Sequence, residues 1–304
     1  MIEARGLTKD FKSVRAVDGL DLSIRPGELF GLIGPDGAGK TTALRLLAGL
    51  LDLSDGSATI AGFDLKAQAE SIKPQIGYMA QEFSLYGELT VLENLRFFAE
   101  LYGVTRTEIE SRMSRLLDFA GLTDFQDRRG AHLSGGMKKK LVLAATLIHR
   151  PPLLLLDEPT TGVDPISRRG FWDILNELHL EGTTILVSTP YMDEADRCSR
   201  VALMHAGRLI ALDTPAAIRA RVRGQLLELK THEWRQAMAA LSDVPGVLGV
   251  QQYGESLHVL VDSAGKRSRA VKRALRRAKV GYRGLRSAPI RMEEAFLSLM
   301  EEVR

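Results

Sequence analysis

Short apolar runs alternating with helical spacings set the pattern of the first 220 residues. Residues 2–7 and 16–24 read as strands, followed by a turn at Pro26-Gly27. Residues 29–33 form a short apolar strand that runs into a glycine-rich loop. Leu44, Leu47 and Ala48 then repeat on one helical face within residues 41–50. Residues 58–61 and 77–80 read as strands. The spacing from about residue 90 to 120 is helical, with Leu92, Leu95, Phe98, Ala99 and Tyr102 on one stripe and Ile109, Met113, Leu116 and Leu117 on a second. A further helix follows Gly136 and runs to about His149. These helices interrupt the alternation and predict an inserted helical subdomain at about residues 83–150. Residues 153–156 are four leucines, the pattern of a parallel strand covered on both faces. Strands at 184–188 and 201–204 follow. Strands alternating with helices predict an α/β fold with a mostly parallel central sheet over residues 1–222.

The pattern changes near residue 225. Strand 226–230, helix 233–241, a hairpin of 247–253 and 256–261 around Gly254-Glu255, helix 264–280, strand 284–290 and helix 292–300 give the order βαββαβα. That order predicts a small α+β ferredoxin-like domain over residues 225–304. No repeat or low-complexity tract is visible.

Composition adds limits. The chain has 304 residues, 45% hydrophobic and 26% charged, enough for a full α/β domain and a smaller second one. Its longest apolar runs are too short to cross a bilayer, and the start, MIEARGLTKD, has no apolar h-region. The lone Cys198 has no partner for an internal disulfide, and a cytoplasmic setting is expected. The net charge of +3 is unevenly spread. Lys266, Arg267, Arg269, Lys272, Arg273, Arg276, Arg277, Lys279, Arg283 and Arg286 follow one another with no acid between them. Such a face attracts nucleic acid or anionic lipid, or is simply solvated.

The chemistry lies in three short segments. Gly34-Pro35-Asp36-Gly37-Ala38-Gly39-Lys40-Thr41-Thr42 fits G-x-x-x-x-G-K-[ST] between a strand and a helix. Glycines let the backbone approach a phosphate and turn N–H groups inward, and the helix N-terminus adds positive charge. Lys40 supplies a full charge to the β- and γ-phosphates of ATP or GTP, and Thr41 offers a hydroxyl to Mg²⁺. The leucine strand ends in Asp157-Glu158. Two acids there are costly without a cation, so Asp157 is expected to hold Mg²⁺ through water and Glu158 to act as the base for an attacking water. In Leu133-Ser134-Gly135-Gly136-Met137, Ser134 can cap a helix whose exposed N–H groups make a second anion site, or serve as a plain cap.

Taken together, these segments resemble the ATP-binding subunits of ABC transporters over about residues 1–220. Gln81, after a strand ending Gly77-Tyr78-Met79-Ala80, is similar to the Q-loop glutamine, which contacts the metal and the attacking water. LSGGM at 133–137 resembles the signature motif, LLLLDEPT at 153–160 the Walker B segment, and Gly162-Val163-Asp164 the D-loop. Phe11 stands where an aromatic side chain stacks on adenine, or is a core aromatic. The run Ala288-Pro289-Ile290-Arg291-Met292-Glu293-Glu294-Ala295-Phe296-Leu297 resembles the end of daunorubicin-type drug-resistance ATPases, which serve ABC-2-type permeases. The resemblance implies a head-to-tail dimer with ATP between the P-loop of one subunit and Ser134, Gly135 and Gly136 of the other. It also implies a peripheral place on the cytoplasmic face of the inner or plasma membrane. A soluble ABC-type ATPase acting on ribosomes or nucleic acid, and a nucleotide-binding regulatory subunit, are the alternatives. Nucleic acid is not the expected partner.

One position departs from the family. Where its members carry a histidine that contacts the γ-phosphate, this chain has Pro190, which has neither a side-chain donor nor a backbone N–H. Thr189 is expected to cap a helix with Pro190 as its first residue. Two readings stay open: slow hydrolysis by Glu158 and the P-loop, or an asymmetric pair. In the second, this subunit's own site holds ATP while its LSGGM completes a partner's competent site, as in certain tandem exporter ATPases.

Overall fold

The computed structural model describes residues 1–82 and 85–303. Phe83 and Ser84, at the expected start of the helical subdomain, and Arg304 lie outside the described residues. The chain divides into two units, Met1–Pro215 and Ala216–Arg304.

In the first unit β1 (Ile2–Phe11) and β2 (Val14–Ile24) pair antiparallel. They are followed by β3 (Leu29–Ile33), α1 (Lys40–Leu47), β4 (Asp55–Ile60), β5 (Phe63–Asp64), α2 (Ala69–Ile72) and β6 (Ile76–Met79). The helices α3 (Val91–Leu101), α4 (Arg106–Ala120) and α5 (Gly135–Leu147) come next. Then come β7 (Leu153–Asp157), α6 (Pro165–Leu180), β8 (Thr184–Thr189), β9 (Arg200–His205), β10 (Arg208–Asp213) and, crossing the division, α7 (Pro215–Ala220).

The central sheet has the order β10-β9-β3-β8-β7-β6, parallel throughout except for β10. Every residue of β3, β7 and β8 is buried, as unbroken apolar runs require. A second, antiparallel sheet, β2-β1-β4-β5, goes beyond what the apolar pattern predicts. Leu44, Leu46 and Leu47 of α1 share one core with Ile2, Leu7 and Leu20 on that sheet and with Phe30, Leu153 and Leu186 on the other. Helix α1 is thereby held from both sides, and so is the loop that precedes it. The helices α3, α4 and α5 enclose a separate core around Leu95, Met113, Leu117 and Leu141. Thr90 caps α3 reciprocally with Glu93, which fixes where that helix begins.

The segment after β8 differs from its expectation. Thr189 remains in the strand, paired with Ile33, and the turn that follows is a 3₁₀ segment at Met192–Arg197 with Tyr191 before it. Thr189 Oγ1 accepts from Tyr191 N at 3.1 Å. The cause lies at Glu194, which is buried. Its Oε1 accepts from Thr160 Oγ1 at 2.8 Å, Arg168 Nε at 2.6 Å and Trp172 Nε1 at 2.8 Å. Drawing this carboxylate inward tightens the turn and ties it to α6 and to the loop after β7. Cys198, at the end of this turn, packs against Gly31 and burial pushes its thiol well up. It stays protonated, in keeping with a packing role.

The second unit contains β11 (Gln225–Lys230), α8 (Trp234–Leu241), β12 (Val247–Tyr253), β13 (Ser256–Val261), α9 (Ala264–Arg277), β14 (Gly284–Ala288) and α10 (Met292–Val303). Its antiparallel sheet has the order β12-β13-β11-β14, which is the ferredoxin-like arrangement. Val271 and Leu275 of α9 and Ala237 and Leu241 of α8 bury against Leu227, Leu229, Leu257 and Val259 of the sheet.

Candidate functional site

The C-terminal ends of β3, β8, β7 and β6 lie side by side in that order, the usual place for a ligand in a parallel sheet. The loop after β3 is shaped by close approach. A Cβ on Gly34 would stand 2.2 Å from the carbonyl oxygen of Met204, and one on Gly39 would stand 2.3 Å from that of Ala16. Gly39 also has φ +98°, open to glycine alone. Helix α1 starts at Lys40 with no side-chain cap, so its first N–H groups are left for a ligand. A cleft of about 620 Å³ opens here, lined by Asp36, Gly37, Ala38, Gly39, Lys40, Thr41, Thr42, Gln81 and Glu158, with Val14, Arg15, Ala16, Ala206 and Gly207.

The predicted side chains converge. Buried Lys40 donates to the carbonyl oxygens of Gly34 at 2.8 Å and Pro35 at 3.0 Å, and its Nζ lies 3.1 Å from Glu158 Oε1. Gln81 Nε2 donates to Glu158 Oε2 at 2.9 Å, and Thr161 Oγ1 to the same oxygen at 3.3 Å. Thr41 Oγ1 donates to Asp157 Oδ1 at 3.1 Å. Glu158 itself has φ +47°, an uncommon conformation for a residue with a side chain, costing about 1–3 kcal/mol. Its N–H is fixed by the carbonyl oxygen of Ser188 at 3.2 Å and by Ser188 Oγ at 3.0 Å.

Asp157 is fully buried, and its Oδ2 has no partner among the described residues. Burial pushes its carboxyl above its ordinary value, opposed by donors from Ser188 and Thr41. An orphaned carboxylate oxygen beside a hydroxyl is a donor set that fits a hard cation. The sign of the linkage follows. Between the unfolded value of 3.8 and the raised folded value, the native state holds a proton that the unfolded chain releases. Asp157 therefore weakens the fold as pH rises through this window. In buffer with chelator, urea titrations from about pH 4 to 7 should show Asp157→Asn gaining stability relative to wild type as pH increases. A gap that moves the other way refutes this account of Asp157.

Three contributors were invisible in the sequence. Ser188 Oγ donates to Asp157 Oδ1 at 2.7 Å while accepting from Glu158 N, so it joins β8 to the two acids. Thr161 helps aim Glu158. Lys139, two residues after the LSGGM run, donates to the carbonyl oxygen of Gln81 at 3.2 Å, and burial pulls its ammonium below the ordinary value.

Other predicted residues lie apart. Phe11 is exposed at the end of β1 beneath Lys9 Nζ, 5.2 Å from the ring centre, and does not line the cleft. Ser134, Gly135 and Gly136 form the N-terminus of α5, outside the cleft. Ser134 Oγ accepts from Met137 N at 3.3 Å, so the cap is formed. Gly136 is buried where a Cβ would stand 2.5 Å from Ser167 Oγ, while Ser134 and Gly135 face solvent. Pro190 follows β8 directly, and Gly34 N donates to the carbonyl oxygen of Thr189 at 3.3 Å. Residue 190 thus emerges beside the start of the loop.

Comparisons with known proteins bear on the family of the chain. The family described as ABC transporter matches residues 17–161. The chain is 36% identical to the daunorubicin/doxorubicin resistance ATP-binding protein of Streptomyces peucetius, over 98% of this chain and 92% of that one. It is 43% identical to the probable multidrug ABC transporter ATP-binding protein YbhF of Escherichia coli (strain K12), over 73% of this chain. The chain spans 38% of that relative's length. A solved ATP-binding subunit of an ABC transporter superposes with a TM-score of 0.66 at 32% identity, covering 73% of this chain and 92% of that one. A dimeric bacterial ABC transporter cassette does so with a TM-score of 0.65 at 26% identity, covering 70% and 98%.

Proposed function

The chain belongs to the ABC transporter ATP-binding family, and on that premise we propose that it is the ATP-hydrolysing subunit of an ABC-2-type exporter for multidrug or lipid-like substrates. One observation carries the catalytic part: Lys40, Thr41, Asp157, Glu158 and Gln81 form one linked constellation at the ends of parallel strands. The relatives named for drug resistance carry the export part.

In this reading the N–H groups of residues 36–42 and the α1 N-terminus cradle the phosphates of ATP. Lys40 turns from Glu158 to the β- and γ-phosphates. That movement leaves Glu158 Oε1 free to take a proton from water, while Gln81 and Thr161 keep the carboxylate aimed through Oε2. Thr41 and Asp157 would hold Mg²⁺, whose role is to neutralise charge on the phosphate oxygens. The N-terminus of α5, with Ser134 and Gly135 facing solvent and Gly136 behind them, closes the site of a second subunit. Dimeric cassettes among the solved structures support this arrangement.

Among the described residues no helix is long and apolar enough to cross a membrane. A permease subunit would therefore hold the chain peripherally on the cytoplasmic face. Pro190 favours an asymmetric pair, in which this subunit's own site turns over slowly and its α5 N-terminus serves a complete partner. Affinity purification of the tagged chain from detergent-solubilised membranes tests the whole reading. A polytopic permease, with a second ATPase in the asymmetric case, is the expected company. Recovery with ribosomes, or from the soluble fraction alone, overturns it.

A further inference from the structure

We propose that the outer face of α9 is a docking surface for an anionic phospholipid bilayer. The helix has one apolar edge, Val271 and Leu275, spent on the core of the second unit. The rest of its circumference carries exposed Lys266, Arg269, Lys272, Arg273, Arg276 and Arg277, and Lys279 follows at its end. Among the described residues, no carboxylate forms an ion pair with any of the seven and none donates a hydrogen bond; Lys266 alone lies within electrostatic reach of an acid, Asp262. Elsewhere in the same unit two bases hold carboxylates. Arg267 holds Asp262 through two bonds at 2.8 and 2.6 Å, and Arg286 holds Glu228 at 2.7 Å. The seven are set apart by lying together on one helix and its end.

This arrangement works against the helix that bears it. Arg269 with Lys272 and Arg273, Lys272 with Arg276, and Arg273 with Arg276 and Arg277 are like charges three or four residues apart, so each pair disfavours the helix. The first turn has no acid and instead carries Lys266 near the positive end of the helix dipole. Local rules broken together with so little internal compensation point to an external partner. The neighbouring helix α8 adds exposed Arg235 and contains no acid.

The shape and chemistry select the partner. A row of unpaired, long, flexible bases with no cleft between them suits a laterally diffuse negative surface, to which each base contributes separately. Base stacking has no platform here: Trp234, on α8, is half-buried with the Arg235 guanidinium 4.6 Å over its ring. A bilayer is at hand if the chain serves a permease, and the inference rests on that reading only to this extent.

Sedimentation of the full chain with vesicles tests it without any permease. One set is phosphatidylcholine alone; the other contains about one third phosphatidylglycerol. The wild type is expected to bind the anionic vesicles only and to be released on going from about 0.1 to 0.5 M salt. A variant with Arg269→Gln, Lys272→Gln, Arg273→Gln and Arg276→Gln should lose about fivefold in partition per residue, or more than a hundredfold in all. The same arginines changed to Lys should retain binding, which separates charge from folding. Unaltered circular dichroism and ATP affinity in the Gln variant exclude a collapsed fold. Equal binding to neutral vesicles, equal binding by the Gln variant, or tighter binding to duplex DNA than to anionic vesicles at the same salt would each overturn the proposal. Failure to recover a permease in the purification above would leave vesicle binding untouched, so the two readings fail separately.

Discussion

The Glu158→Gln protein is expected to bind ATP at least as tightly as wild type and to hydrolyse it about 10²–10⁴-fold more slowly. The carboxylate has two oxygens with different duties. Oε2 is occupied by Gln81 and Thr161, and Oε1 faces Lys40 at 3.1 Å. An amide oxygen can keep the Oε2 bonds, so the local fold survives the change. The amide nitrogen cannot accept a proton, which removes the base. It also removes the anion that holds Lys40 away from phosphate, and with it the repulsion between a carboxylate and the γ-phosphate. Steady-state phosphate release and equilibrium titration with a fluorescent ATP analogue separate the two effects. Turnover within tenfold of wild type would show that some other group accepts the proton, and weaker binding would show that the Lys40 pair is not what restrains the lysine.

The parts of this site that could be read from the sequence are those whose chemistry is contiguous along the chain. The loop at residues 34–42 carries its own glycines, lysine and hydroxyl, and the strand that ends in Asp157-Glu158 announces its burial by four leucines. The bonds that make these segments into one site are not contiguous. Gln81 meets Glu158 across 77 residues, Ser188 meets Asp157 across 31, and Lys139 meets Gln81 across 58. A serine in an apolar strand and a lysine in a run of three carry no local mark of such a partner. Only the family likeness marks Gln81 in the sequence.

The same division holds for the fold. The ferredoxin-like order of the second unit was legible because its strands and helices alternate with clear turns. The antiparallel sheet of the first unit was not, because β1 and β2 are interrupted by register shifts and β5 is only Phe63–Asp64. The sequence after Thr189 satisfies the rules for the start of an α-helix, yet the structure forms a 3₁₀ turn there. Glu194 decides otherwise through three donors that lie between 22 and 34 residues away.

Replacing Pro190 with histidine should raise ATP turnover by about 10²–10³-fold, the usual worth of one donor to the charge that develops on a transferring group. The position is suited to it. Residue 190 directly follows Thr189, which is paired with Ile33 and whose carbonyl oxygen accepts from Gly34 N, so its side chain leaves the sheet next to the phosphate loop. The backbone permits the change, since histidine readily adopts the φ near −65° that proline enforces. The Thr189 hydroxyl already holds Tyr191 N, and Glu194 anchors the turn beyond it, so neither depends on the proline ring. Loss of proline should cost only about 0.4–1 kcal/mol, through greater freedom of the unfolded chain, and urea unfolding measures that separately. The rate effect and the stability effect therefore have opposite signs, and a gain in turnover cannot be ascribed to a sturdier protein. ATP affinity should change little, because the added donor acts on charge that appears as the γ-phosphoryl group is transferred. Turnover of the purified chain, with and without the substitution, is the decisive measurement. A rise in rate at constant affinity marks a site held short of competence by one residue. A wild type that already turns over robustly, with no gain from histidine, would mean that Glu158 and Lys40 suffice, and the asymmetric pair would lose its support.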